Sequence, residues 1–306
     1  MKKIIFILFI IFLPLLTFSA SHYLLLENDT VYDTDRHYTH GTKYIYVNST
    51  CLNIFDNIYK DKIKHTAFTL AQHMYAPSDI SKEDLILNDR PYGGWLYFGI
   101  SLYAYSKDFS SMNFIEVDSG IVGPYSFSDQ TQTFVHKNIG AQKPMGWDNQ
   151  IKNEYGMNII YQKKYKYKYD IGSLDYEFIP YYGGSLGNVF TYLDIGLIFR
   201  TGYNIPNNFG LPKIEPTPKK LNDSFSIYYF IDCFPRYVIR NIFLDGNTLR
   251  ESHRVDKENL VTDITHGLSI SFKSFSISYG YTYRTKEFNR QSHHNEFGLL
   301  IFSWDI

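Results

Sequence analysis

A short polar helix carrying one histidine is predicted within a chain whose other segments have the pattern of β-strands. Ser128 is a suitable N-cap residue, and Gly140 supplies a stop signal. Helical spacing places four residues on one face: Asp129, Gln132, His136 and Ile139. A polar face with a single imidazole has little use in a hydrophobic core. We therefore expect this helix to cover another surface, where His136 either acts as a general base or only packs the helix.

The elements that must position this helix are indicated by composition. The 306 residues include 28 Tyr and 24 Phe, yet the mean hydropathy is only -0.26. Strands whose apolar residues face lipid and whose polar residues face a wet lumen explain both values, as in an outer-membrane barrel. The net charge of -1 gives no excess of basic residues that would indicate binding to nucleic acid.

Alternation of apolar and polar residues recurs in segments of membrane-strand length. Thirteen candidates become twelve when the two that meet at Phe234-Pro235 are joined into one strand with a bulge at the proline. The predicted strands are 21–29, 40–48, 65–75, 95–103, 110–121, 154–166, 174–187, 189–203, 225–245, 260–273, 275–283 and 293–305. The predicted fold is therefore an all-β, antiparallel transmembrane barrel of twelve strands, with a short helix in an outer loop.

The chain start has the pattern of a secretory signal peptide over residues 1–20, which leaves 21–306 as one barrel domain. Long connections are expected on one side of the barrel and tight turns on the other. The long connections are 49–64, 76–93, 122–153, 204–224 and 246–259. Cys51 and Cys233 allow one disulfide or two free thiols. The alternating tract Lys163 to Tyr169 either contacts anionic lipid head groups or is a solvated strand end.

Two polar clusters stand out beside the helix. Residues 27–41 hold acidic, amide and histidine groups, and the oxygens of Asn28, Asp29 and Asp35 suit a hard cation such as calcium. An acidic turn with local capping is the alternative. In residues 88–95, Arg90 could bind a phosphate or form an ion-paired turn with Asp89.

Together these stretches resemble the lipid A 3′-O-deacylase family, the LpxR-like proteins of Gram-negative outer membranes. The matching stretches follow the family order over nearly the whole mature chain. They are Glu27-Asn28-Asp29, Thr34 to Gly41, Asp89 to Trp95, Gly123-Pro124, Gln132 to His136, Gly146 to Gln150, Asn153-Glu154 and Phe243 to Asn247. The family fold is a twelve-stranded barrel, which agrees with the count above.

The resemblance implies a calcium-dependent esterase that removes the 3′-linked acyloxyacyl group of lipid A. Its active site would lie between the barrel wall and a loop helix, facing the outer leaflet, and the chain would act as a monomer. The implied catalytic residues are His136, Asn28, Asp29, Arg90 and Gln132, and the implied calcium ligands are Asp29, Asn28 and Asp35. The chain departs from the family in having no acidic residue directly after His136, where Asp148 is the nearest, and in carrying His40 where Asn is usual.

Two other classes share parts of this pattern. An outer-membrane phospholipase would have the same fold, calcium and ester chemistry, but it relies on a serine two positions after a histidine. None of the ten histidines is followed by serine in that way. A passive porin or adhesin barrel would explain the strands but not a helix that carries His136 beside polar clusters.

Overall fold

The computed structural model describes residues 20–29, 36–48, 51–55, 57–210 and 225–306. Residues 1–19 of the expected signal peptide lie outside these ranges, and so does Asp35. Within the described residues, no helix is both long enough and apolar enough to span a membrane. Nearly all regular structure is β-strand.

Each strand segment is antiparallel to its neighbours in a single sheet. The segments are β1 (Ala20–Asn28), β2 (His37–Asn48), β3 (Ile63–Ala76), β4 (Gly93–Tyr105), β5 (Ser111–Val122), β6 (Glu154–Tyr165), β7 (Tyr167–Ile171), β8 (Leu174–Gly187), β9 (Phe190–Tyr203), β10 (Ser226–Asn241), β11 (Leu260–Phe272), β12 (Phe275–Arg284) and β13 (Asn295–Asp305). Within the described ranges, two α-helices interrupt them, α1 (Ser128–Ile139) and α2 (Ile242–Asp245).

The sheet closes into a barrel because the first strand β1 pairs with the last strand β13, and β6 pairs with β8. Segments β6 and β7 pair with successive parts of β8, so together they form one barrel strand interrupted at Lys166. The barrel therefore has twelve antiparallel strands. The predicted fold class and strand number are confirmed.

Strand β10 crosses Phe234-Pro235 without a break, as predicted, but two details differ. The register shifts between Val238 and Arg240 and not at the proline, which pairs regularly with β11. The expected strand end at 242–245 is helix α2 instead. The side chain of Asn241 explains this end, because its Oδ1 accepts a hydrogen bond from the Phe243 amide at 3.0 Å and caps the helix.

The two ends of the barrel carry different connections. We call the end that holds Ala20 and Asp305 the terminal end. It also carries the connections that follow β2, β4, β7, β9 and β11. The opposite end, called the loop end, carries α1 and α2. Antiparallel alternation places the long connections 49–62 and 204–225 at the terminal end. The expectation that all long connections share one side is therefore wrong for these two.

Along each strand, side chains alternate between lipid-facing wall and lumen. On β9, for example, Leu193 and Ile195 are exposed outside, whereas Asp194 is buried and accepts a hydrogen bond from Gln162, which lines the lumen. The lumen holds a cavity of about 220 Å³. Buried aromatic residues cover its ends, Phe209 at the terminal end and Phe243 and Phe288 at the loop end. Both cysteines are free thiols.

Candidate active site

Helix α1 presents one buried face to the barrel. Its buried residues are Ser128, Gln132 and His136, which repeat every four positions, while Ile139 is 59% exposed. Phe127, in the left-handed conformation with φ 59°, is the N-cap, so the predicted N-cap at Ser128 is wrong by one position. Ser128 packs inward against the wall instead. Gly140 ends the helix as predicted, with φ 73°.

A glycine in β4 lets the helix approach the wall. A Cβ at Gly94 would lie 1.9 Å from Oγ of Ser128 and 2.2 Å from Oγ of Ser126, so no other residue fits without moving the helix. The amide nitrogen of Gln72 donates to the Ser126 carbonyl at 2.6 Å from the neighbouring strand β3. These contacts fix the start of α1 over the outer side of β3 and β4.

The wall opposite α1 is formed by three neighbouring strands. Asn28 pairs with His40, and His40 pairs with Met74, so the three side chains stand in one row on the outer side. A register shift between Tyr38 and His40 marks a β-bulge. The bulge turns both Thr39 and His40 towards the helix, while Tyr38 points into the lumen. Bulges commonly redirect side chains beside active sites in this way.

A small cavity of about 20 Å³ lies between this wall and the helix. It is lined by Asn28, Thr39, His40, Met74, Thr131, Gln132, Val135 and His136. A polar cavity of roughly 10–15 Å³ is sufficient for one water molecule. The site can therefore hold a water beside the histidine.

Two hydrogen bonds orient the helix side chains. Nδ1 of His136 lies 2.5 Å from the carbonyl oxygen of Gln142. A carbonyl only accepts, so Nδ1 carries the proton and Nε2 is the basic nitrogen of the neutral ring. Oε1 of Gln132 accepts a hydrogen bond from Nε1 of Trp147 at 2.8 Å. Trp147 in turn packs on Tyr92, with ring centroids 4.7 Å apart. The loop after α1 therefore fixes the side chains of both His136 and Gln132.

The structure brings together three of the predicted site residues, Asn28, Gln132 and His136. Asp29 follows Asn28 at the end of β1 and is fully buried, and its Oδ2 accepts a hydrogen bond from the Arg36 amide at 2.8 Å. Asp148 is exposed and is not among the residues that line the cavity. Asp35 lies outside the described residues, so its predicted role as a ligand stays a prediction.

Arg90 is not brought to this cavity. It is buried at the loop end of the lumen, where its guanidinium lies 3.0 Å from Glu287 and 4.7 Å from the ring centre of Tyr75. Burial raises the pKa of Glu287, but the charges of Arg90 and Arg284 outweigh that effect and hold the pKa below its ordinary value. The ion-pair partner of Arg90 is therefore Glu287, from a distant part of the chain, and not Asp89 as in the predicted ion-paired turn.

The sequence interpretation missed five of the residues that line the cavity, among them Thr39 and His40 of the wall. Both residues belong to the stretch Thr34 to Gly41, which was noted in the sequence. Regular alternation from Gly41, which faces the lumen, would have turned the side chain of Thr39 into the lumen as well. The bulge reverses this orientation. Oγ1 of Thr39 is buried and has no hydrogen-bond partner among the described residues. It is thus positioned as an additional oxygen donor beside Asn28.

The sequence profile described as "Outer membrane protein LpxR" matches residues 5–306. The chain belongs to the LpxR family. The solved structure of LpxR from Salmonella typhimurium is 21% identical, with a TM-score of 0.79 over 94% of this chain and 100% of the other. At that identity the likeness shows a shared fold. No curated protein matches the chain as a relative.

Other solved barrels are less similar to this LpxR-family chain. The β domain of the Bordetella autotransporter BrkA is 6% identical, with a TM-score of 0.44 over 94% of this chain and 98% of the other. A bacterial polysaccharide outer membrane secretin is 8% identical, with a TM-score of 0.38 over 94% and 98%. Neither likeness carries an argument about function.

Proposed function

We propose that this chain is an outer-membrane esterase that removes the 3′-linked acyloxyacyl group of lipid A by attack of a water molecule activated by His136. The observation that carries the proposal is the water-sized cavity in which His136 and Gln132 of the helix face Asn28 of the wall. Membership of the LpxR family supports the same activity.

In this mechanism His136 is the general base. Its Nδ1–H donates to the Gln142 carbonyl, which holds the ring in place and leaves the basic Nε2 to take a proton from the water. The resulting hydroxide attacks the ester carbonyl, and the imidazolium returns its proton to the leaving alkoxide. Because the acceptor at Nδ1 is a neutral carbonyl, the ring gains orientation without a second charge in the site.

The oxyanion that forms during the attack needs donors placed before the reaction begins. Asn28 can donate through its amide nitrogen, and the Thr39 hydroxyl, which is buried beside it, can also donate. Gln132 is held through its Oε1 by Trp147, so its role is to position the water or the substrate. Each role is assigned to a side chain that lines the cavity.

Calcium fits the donor chemistry of this corner of the barrel. The wall offers the amide oxygen of Asn28, the carboxylate of Asp29 and the buried hydroxyl of Thr39, and hard oxygen donors are those that calcium prefers. Among the described residues no group of three or more His, Cys, Asp or Glu could hold a metal. Asp35 would be the further carboxylate. When bound, the ion would polarise the ester carbonyl as a Lewis acid.

The outer side of the helix segment supports a substrate that stays in the membrane. Its apolar side chains outside the cavity lining are exposed: Tyr125, Phe127, Phe134 and Ile139. Such a surface is suited to acyl chains and not to water. A site on the outer wall at the loop end would thus receive lipid A laterally, from the leaflet at that end.

The rival functions find less support. A phospholipase of the serine type needs a nucleophile beside the histidine, and no serine is among the described residues that line the cavity. A passive pore needs an open lumen, whereas buried Phe209, Phe243 and Phe288 cover its ends. A monomer is sufficient for the reaction, since one chain supplies every group named above.

The experiment that tests the activity is a mass spectrum of lipid A from cells with and without the protein. Loss of the 3′-linked acyl chains only in cells that express it supports the deacylase. Release of lysophospholipid with unchanged lipid A would identify a phospholipase. A passive barrel would change neither lipid.

A further inference from the structure

A cluster of lysines and tyrosines lies on the outer wall towards the terminal end. We call it the lysine–tyrosine patch, and it consists of Tyr59, Lys62, Tyr161, Lys163, Tyr165 and Tyr182. Lys163 is at its centre, because it pairs across the sheet with Tyr182 of β8 on one side and with Asn113 of β5 on the other. Along β6 it is flanked by Tyr161 and Tyr165, which share its outward direction.

The two ammonium groups of the patch act on each other, since the positive charge of Lys62 repels that of Lys163. In the part of the chain that the structure describes, neither lysine has an ion-pair partner. Other lysines of the barrel do have one: Lys43 with Glu116, Lys168 with Asp170 and Asp175, and Lys257 with Asp245.

The tyrosines give the patch a surface that is apolar but ends in hydroxyl groups. The ammonium of Lys163 lies 5.2 Å from the ring centre of Tyr165, and that of Lys62 lies 6.0 Å from the ring centre of Tyr59. Tyr161 donates to Oδ1 of Asn113 at 3.3 Å. Tyrosines in this arrangement are typical of the interface where acyl chains meet head groups.

Lipid-facing residues continue directly from the patch towards the middle of the barrel. Ile159 follows Tyr161 on the outer side of β6 and is 45% exposed, and Val117 of β5 is its cross-strand partner. A ligand with a phosphate between the lysines would therefore have its hydrocarbon chains along an apolar wall. A soluble anion would leave that wall unused.

We propose that the lysine–tyrosine patch binds the phosphate of an anionic glycerophospholipid in the leaflet at the terminal end. Lys62 and Lys163 neutralise the phosphate charge, and a single phosphate relieves the repulsion between them. Hydroxyls of the other patch tyrosines, apart from Tyr161, donate to the remaining phosphate oxygens. This site lies at the opposite end of the barrel from His136 and does not depend on the deacylase activity.

The test uses the full chain in detergent micelles that contain equal amounts of phosphatidylglycerol and phosphatidylethanolamine. Native mass spectrometry counts the lipids that stay bound. For the unmodified chain we expect a preference for phosphatidylglycerol of roughly tenfold or more, from two interfacial lysines. The K62Q/K163Q variant should lose the preference, and the matched control K168Q, which removes a lysine that is already ion-paired, should keep it.

Three results would overturn the proposal. They are equal retention of the two lipids by the unmodified chain, an equal loss of preference in K168Q, and displacement of the lipid by millimolar inorganic phosphate. The last would show a site for free phosphate. If K62Q/K163Q does not fold, the single variant K62Q, which lies outside the strands, should reduce the preference several-fold in a barrel that still migrates in its folded, heat-modifiable form.

Discussion

The lumen and the outer side of the barrel wall both carry polar groups towards the loop end, but these groups are arranged differently. On the lumen side, charged groups are engaged with each other: Asp263 contacts both Arg236 and Arg284 at 2.8 Å, and Arg90 contacts Glu287 at 3.0 Å. On the outer side, the polar groups line a cavity beneath helix α1. Charge density alone therefore does not indicate the proposed site, whereas polar side chains that converge on a space of water size do.

The largest expected effect is that of His136→Ala. Removing the proposed general base should lower the deacylation rate by a factor on the order of 10²–10⁴, while the barrel still inserts, because a loop helix adds little to strand pairing. Lipid A deacylation at matched outer-membrane abundance is the measurement. The control is His73→Gln, on the lumen face of β3, which should keep most of the activity. Normal deacylation by His136→Ala would make the histidine a packing residue of the helix.

Chelation of calcium is expected to lower turnover by about a hundredfold, since a Lewis acid contributes several kcal/mol to stabilising the developing charge. Folding should be unaffected, because the strand ladder closes without a metal. Activity and heat-modifiable migration are measured on the same sample. Adding calcium back should restore the rate. Full activity after exhaustive chelation would remove the metal from the mechanism.

Gly94→Ala should separate the two halves of the site. The new methyl group would overlap Oγ of Ser128 and Oγ of Ser126, so the helix must move away from the wall. We expect a loss of roughly tenfold in rate, since a displacement of about 1 Å at a catalytic group can cost up to a hundredfold. The triple variant G94A/S126G/S128G returns the missing space and should recover part of the rate. No recovery would mean that Gly94 acts in another way.

Tyr38→Phe tests whether the lumen face supports the outer face. The Tyr38 hydroxyl donates to Oε2 of Glu27 at 2.5 Å and occupies the space above Gly41, so it holds the bulge that turns Thr39 outwards. Loss of one such bond, worth about 1 kcal/mol, predicts a fall in kcat of about fivefold with KM unchanged. The control Tyr181→Phe removes a lumen hydroxyl bonded to Asp232 and should have no effect. A change in KM alone would contradict this role.

The smallest effect concerns pH and the ion pair at the loop end. Because the folded-state pKa of Glu287 is lowered, its pairing with Arg90 stabilises the fold above the ordinary carboxyl value near 4.5 and is lost as the pH falls further. Hydrogen exchange of residues 285–294, corrected for intrinsic rates, should rise in acid while that of the strands does not. In Glu287→Gln the rise should already be present at pH 7. An unchanged profile would show that the pair does not hold this loop.

Much of the fold could be predicted because period-two alternation is a local property of sequence. The twelve strands, including the one across Phe234-Pro235, follow from it. The bulge at Thr39 could not be predicted, since a register shift depends on the partner strand. Nor could the place of Arg90, because nothing local shows that its loop folds back over the lumen. The predicted N-cap position was wrong for the same reason, because Ser128 packs against Gly94, a residue of strand β4 that is distant in sequence.

A site on the outside of a barrel with covered ends has a kinetic consequence. If the proposed reaction holds, substrate, shortened lipid and released acyl group all travel in two dimensions and never pass through the lumen. The concentration that governs turnover is then the mole fraction of substrate at the surface, and not its amount per volume. Mixing inert lipid into the membrane would slow such an enzyme even though no substrate had been removed.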